Sequence, residues 1–210
     1  MMIANNEKPR WFFYLGWVVL NIIAVVMAWY IAWALISLVT NIVGDTIQVG
    51  GQFRITEDFL FLYVLLPIIG LFTGIIQYTL LRRHLPRMAW WIAATLLGWL
   101  MPFVTGYFII AIFAQKNDTF SIMLGMLLIG ATIALPQWWM LRQRVHHASW
   151  WILAYGFSWW MMGLLNFVTS EPFIVLLAIA LIPTSVTGFA CWLLLDWLPK
   201  HELESSISSH

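Results

Sequence analysis

Two glutamines, Gln77 and Gln137, stand sixty residues apart inside long apolar runs, each four residues before a Leu-Arg pair. A side-chain amide carries two N–H donors and a carbonyl acceptor. Surrounded by hydrocarbon, it has to find partners on a facing helix or on a bound solute. Asn21 places a third amide in the first apolar run, and Pro183-Thr184-Ser185-Val186-Thr187-Gly188 is the most polar stretch within the last. Gln77, Gln137, Asn21, Thr184, Ser185 and Thr187 are therefore the candidate interhelical or cavity-lining residues. A second group is ionic. Arg82 and Arg142 follow the two glutamines at the same spacing, and Asp196 stands at the corresponding place in the last run. If the three runs surround a common axis, Arg82, Arg142 and Asp196 form an ion pair between repeats.

Reactive chemistry is sparse. His84, His146, His147, His201 and His210 all fall in polar links or the tail, so no histidine sits within an apolar run to hold haem or a metal. No HExxH, GxSxG, GxxxxGK[ST] or GxGxxG occurs. Paired carboxylates inside the runs, needed for proton coupling or aspartyl chemistry, are absent as well. Cys191 is the single cysteine, which excludes an internal disulfide framework. The expectation is a protein with no catalytic residues, no cofactor and no metal.

The elements that position these residues follow from composition and repetition. The chain is 62% hydrophobic and 9% charged, with a mean hydropathy of +0.87. Such a chain has lipid as its solvent. A net charge of +1 offers no basic surface for nucleic acid. Six runs reach the length of roughly 20 apolar residues that a membrane helix needs. They are Trp11–Val43, Phe59–Arg82, Met88–Ala114, Phe120–Leu141, Trp150–Val168 and Pro172–Leu198. The first is too long and too poor in a small-residue end to be a cleaved signal. As a helix it would reach about 50 Å, so it is expected to tilt, protrude or break.

The fold class expected is an all-α integral membrane protein. Its six transmembrane helices form one domain over 1–200, built from three related hairpins at about 11–84, 88–144 and 148–198. An outer loop occupies 44–58 and a polar tail 201–210. Eight of the ten lysines and arginines (Lys8, Arg10, Arg82, Arg83, Arg87, Arg142, Arg144 and Lys200) fall on one side of such a bundle. That places both termini in the cytoplasm. The outer loop alternates around Gly50-Gly51, which fits a small surface hairpin and fits a solvated connector equally well.

Gly70 to Trp99 repeats without a gap as Gly130 to Trp159, with nine identities in thirty positions, the Gln and Arg among them. Gly70, Gly74, Gln77 and Leu81 share one helical stripe, as do Gly130, Ala134, Gln137 and Leu141. Thr184, Gly188, Cys191 and Leu195 form a weaker third copy. Small residues four apart let helices approach closely in lipid. Their shared stripe favours packing over substrate binding for the glutamines. Trp90-Trp91 and Trp150-Trp151 read as interfacial anchors. Pro67, Pro102, Pro136 and Pro183 should kink four spans, with Thr and Ser satisfying the carbonyls freed.

Tandem segments of the form G-x3-[GA]-x2-Q-x3-L-R followed by W-W-x2-A-x3-[GS]-W resemble a group of bacterial multi-pass membrane proteins of unassigned function. The resemblance covers about two thirds of the chain and transfers no binding or catalytic residues. It implies a bacterial inner-membrane location. Six spans in this length also suit the substrate-binding subunits of vitamin transporters, but none of their motifs is present. The expected function is that of a non-catalytic accessory or structural subunit, with lipids and a larger complex or a homo-oligomer as partners. The alternative is a transport or small-molecule-binding component with a cavity between the repeats.

Overall fold

The computed structural model describes residues 11–85, 88–113, 118–145, 147–165 and 172–196. Six helices make up most of it: α1 (Trp11–Val43), α2 (Thr56–Leu81), α3 (Trp91–Phe113), α4 (Thr119–Leu141), α5 (Ser149–Leu165) and α6 (Pro172–Asp196). Three segments, Trp11–Val43, Phe59–Leu81 and Thr119–Leu141, are long and apolar enough to cross a membrane, and Trp91–Gly106 and Ala180–Leu195 are shorter apolar helices. Each helix packs on its chain neighbours, and α6 returns to α1, so the six close into a ring.

The long α1 neither breaks nor loses its register. Trp17, Asn21, Ala24, Ala28, Ala32, Ile36 and Thr40 are buried at steps of three and four, one continuous stripe facing the ring. Pro67, Pro102, Pro136 and Pro183 each lie inside an unbroken helix. Near Pro183 the threonine hydroxyls bond back onto the helix. Thr184 Oγ1 donates to the Ala180 carbonyl at 2.5 Å and Thr187 Oγ1 to that of Pro183 at 2.5 Å.

Between α1 and α2 the chain departs from helix. Strands β1 (Thr46–Val49) and β2 (Gln52–Ile55) pair antiparallel, with Val49 opposite Gln52. Of the two readings open for the outer loop, the hairpin holds. Its two-residue connection needs positive φ at both positions, and Gly50 (58°) and Gly51 (79°) supply it without the cost a side chain would bring. A two-stranded hairpin is marginal alone. Here its base is clamped, because Thr56 donates its hydroxyl to the Gly44 carbonyl at 2.6 Å and its backbone N–H to Asp45 at 2.9 Å.

The sequence repeat reappears as repeated geometry. Arg82, His84 and Leu85 donate backbone N–H groups to Tyr78, Leu81 and Leu81, and Arg142, Arg144 and Val145 do the same to Trp138, Leu141 and Leu141. Under each turn a matched pair is buried, Leu81 with Leu85 and Leu141 with Val145. The small residues on α2 and α4 face the helix that follows. A Cβ on Gly70 would stand 2.9 Å from Trp99 Cβ, and one on Gly130 2.7 Å from Trp159 Cβ. On α6, Gly188 faces Trp17 of α1 at 2.8 Å. Equivalent contacts therefore join α2 to α3 and α4 to α5, and a contact one step further along the stripe joins α6 to α1.

Helix α4 begins on a built cap. Asp118 is extended and accepts from the Ser121 backbone N–H at 2.8 Å and from the Ser121 hydroxyl at 2.7 Å. Removing such a cap costs about 1 kcal/mol. Asp118→Ala is accordingly expected to lower the melting temperature in detergent by roughly 2–4 °C. Asp118→Asn, which keeps a capping oxygen, should recover most of the loss in the same measurement.

Candidate functional site

The three amides meet inside the ring. Gln77 donates from Nε2 to Asn21 Oδ1 at 3.2 Å, which ties α2 to α1. Gln137 donates from Nε2 to Gln77 Oε1 at 3.3 Å and to Thr95 Oγ1 at 2.8 Å, which ties α4 to α2 and α3. Asn21 sends its own N–H back to the Trp17 carbonyl at 2.8 Å. All three are essentially inaccessible: Asn21 is 1% exposed, Gln77 3% and Gln137 0%.

Two indoles complete the amides. Trp91 Nε1 donates to Gln77 Oε1 at 3.2 Å, and Trp151 Nε1 to Gln137 Oε1 at 2.8 Å, each fourteen residues after its glutamine. The expectation of interfacial anchors thus fails for one member of each Trp pair. Trp90 and Trp150 lie exposed on the outside, whereas Trp91 and Trp151 are fully buried. The physical reason is helical rotation. Adjacent residues point about 100° apart, so one ring faces outward while the next enters the ring of helices.

A third indole enters from α1. Trp17 Nε1 reaches Thr187 Oγ1 at 3.4 Å, a longer contact than the other two. Trp151 stands between its counterparts, edge-on to Trp17 at 6.0 Å and to Trp91 at 6.0 Å. Four residues after each of these tryptophans come Asn21, Thr95 and Tyr155, one turn deeper on the same face. Asn21 and Thr95 belong to the network already described, and Tyr155 is buried beside Gln77 at the edge of a small cavity. Sequence reasoning missed Trp17, Thr95 and Tyr155. The available signal was the fixed offset of four from a tryptophan, hidden because three different polar side chains fill one slot.

Beside the network, Asn21, Thr73, Gln77, Trp99, Thr184 and Thr187 border a cavity of about 20 Å³. Thr184 and Thr187 thus fall where the polar stretch of α6 led one to look. Ser185, on the same turn, is only partly buried and does not line it.

The ionic group is not gathered with the amides. Arg82 and Arg142 cap the C-termini of α2 and α4 and are exposed. The Arg142 guanidinium lies over the Trp139 ring at 3.3 Å from its centroid and near Trp138 at 5.1 Å, a cation–π arrangement. Helix α6 ends at Asp196, whose side chain lies outside the described residues, as do His146 and the tail 201–210. At the turn after α2, His84 packs edge-on against Phe13 at 5.0 Å. Desolvation first and the Arg83 charge second lower its pKa, which holds the ring neutral at neutral pH.

Chemically the site is neutral. Among the described residues no group of His, Cys, Asp and Glu could hold a metal ion. Both N–H groups of Gln137 and the carbonyl of Gln77 are engaged by protein partners, so the amides are occupied with one another. No protein family, curated protein or solved structure matches the chain.

Proposed function

We propose that the chain is a polytopic protein of a bacterial inner membrane, with six spans and cytoplasmic termini. It serves without catalysis as an accessory or structural subunit of a larger membrane complex or a homo-oligomer. Large apolar side chains stand exposed on every helix, among them Val19, Ile75, Val104, Leu135, Phe157 and Phe189. A water-facing surface with apolar patches on all sides is unstable, whereas lipid accepts it. The matched glycine contacts favour two related units, α2 with α3 and α4 with α5, and the offset of four from tryptophan to polar residue shared by α1, α3 and α5 favours a third, α6 with α1. The last joins the two ends of the helical bundle. This pairing runs one helix out of step with hairpins drawn at 11–84, 88–144 and 148–198.

The observation that carries the structural role is that each amide is already bonded to side chains of neighbouring helices. A transport or binding site keeps polar groups available for its solute, and such pockets occupy roughly 300–1,000 Å³. Here the glutamines are engaged by helix partners and the cavity beside them is about 20 Å³. Native mass spectrometry of the protein, extracted from its own membrane in two unrelated mild detergents, tests the role. The expected spectrum holds a partner chain, or further copies of this one, in the same fixed ratio in both. A monomer carrying a stoichiometric small molecule overturns it in favour of the transport or binding reading.

A further inference from the structure

The polar network has one sector to which its helix, α6, brings no amide. Where α2 and α4 carry Gln77 and Gln137, α6 carries Cys191 at the matching step of the stripe. Trp17 there finds only a 3.4 Å contact to Thr187, while Trp151 has its glutamine at 2.8 Å. The cavity bordered by Thr73, Thr184 and Thr187 lies in this sector.

The wall of the cavity offers both donors and acceptors. A hydroxyl has a single proton. Thr73 gives its proton to the Ile69 carbonyl at 2.6 Å, Thr184 to Ala180 and Thr187 to Pro183. Each hydroxyl can therefore offer the cavity only lone pairs, and Asn21 Oδ1 retains one beyond its bond from Gln77. Against these acceptors stands the Nε1–H of Trp99, which is 6% exposed and has no protein partner, with the Tyr155 hydroxyl and the second N–H groups of Asn21 and Gln77 as further donors on the same wall. The complementary guest donates twice, accepts at least once and fills about 20 Å³. A water molecule needs roughly 10–15 Å³ on that measure and two to four polar partners. A bare cation would meet the indole N–H head-on, and no carboxylate lines the cavity to offset its charge.

We propose that this cavity is a binding site for one ordered water, which accepts from Trp99 Nε1 and donates to threonine and amide oxygens. It does for α6 what the glutamines do for α2 and α4. The site links α1, α2, α3 and α6 through a single small ligand.

Two measurements on the full chain test the assignment. In a crystal structure at a resolution that shows solvent, density should appear within hydrogen-bonding reach of Trp99 Nε1. Pressurisation with xenon, which enters dry apolar cavities, should leave it unchanged. The second compares Trp99→Phe with Trp159→Phe. The two rings pack on each other at 5.9 Å and 62°, so each change trims the same ring pair. Trp159 Nε1 also lacks a protein partner and does not border the cavity. Deleting a satisfied donor is costly and deleting an unsatisfied one is not. Trp99→Phe should therefore melt roughly 2–4 °C below Trp159→Phe. Equal melting, a higher value for Trp99→Phe, xenon in the cavity, or no density beside the indole would each overturn the proposal.

Discussion

Gly98→Ala is expected to leave little folded protein after extraction in mild detergent, while Gly16→Ala and Gly156→Ala melt at or slightly above the unmodified chain. An added Cβ at Gly98 would lie 2.2 Å from the carbonyl oxygen of Ile133 and 3.2 Å from its carbonyl carbon. Both obstacles are backbone, so no rotamer change relieves them. Restoring an ordinary 3.4 Å separation moves α3 from α4 by about 1.2 Å (3.4 − 2.2) at this point. Overpacking a core typically costs about 1–3 kcal/mol. A backbone-on-backbone clash belongs at the top of that range or above, since the helices lose contact along their length when they part. At Gly156 the nearest atom is the Leu127 oxygen at 3.4 Å, and Gly16 has nothing within 4 Å. Alanine there gains the helix propensity that glycine lacks, up to about 1 kcal/mol. A thermal-shift series read by size-exclusion monodispersity checks all three. If Gly98→Ala melts with the controls, α3 and α4 do not approach as described.

Much of the frame was legible in the sequence for one reason: hydrocarbon demands long apolar runs, and these are hard to mistake. The α1 range matches its run residue for residue, and α4 starts within one position of the expected span. The glutamines stood out because an amide in such a run is expensive unless partnered. What they bond to was harder to see. Trp91 and Trp151 belong to pairs whose outer members sit exposed, and a buried indole and an interfacial one have the same side chain. Only the geometry of the turn after each glutamine brings a tryptophan fourteen residues later back to its carbonyl.

The direct bond between Gln77 and Gln137 was hidden for a different reason. The repeat aligns those residues as copies, which says nothing about whether the copies touch. Their contact depends on how α2 and α4 both pack on α3, which the repeat alone does not specify. The cap at Asp118 was visible in principle, since an acidic residue followed by Thr and Ser opens the α4 run.

Gln137→Leu is expected to be the most damaging polar-to-apolar change in the bundle, although leucine is the better residue for lipid. The substitution removes three bonds at once: to Thr95 at 2.8 Å, to Gln77 at 3.3 Å and from Trp151 at 2.8 Å. Interhelical hydrogen bonds in membranes average only about 0.6 kcal/mol each, so their loss alone is modest. The larger cost is the Trp151 indole N–H, which is left buried without an acceptor at 0% exposure. A stranded donor of this kind costs about 1–3 kcal/mol. Together these give about 2–4 kcal/mol, and a melting point lower by roughly 4–16 °C at about 2–4 °C per kcal/mol. Gln77→Leu strands Trp91 in the same way and should fall in the same range. Because the two glutamines bond to each other, the double variant should lose less than the sum, by about 1 kcal/mol. Trp151→Phe in the Gln137→Leu background removes the stranded donor and should recover part of the loss. That recovery separates two accounts of the glutamines. If they served a solute, Gln137→Leu would spare the melting point and the indole change would restore nothing. If they hold the helices, stability returns as soon as the orphaned N–H is gone, because the damage lies in the unmatched donor and not in the absent amide.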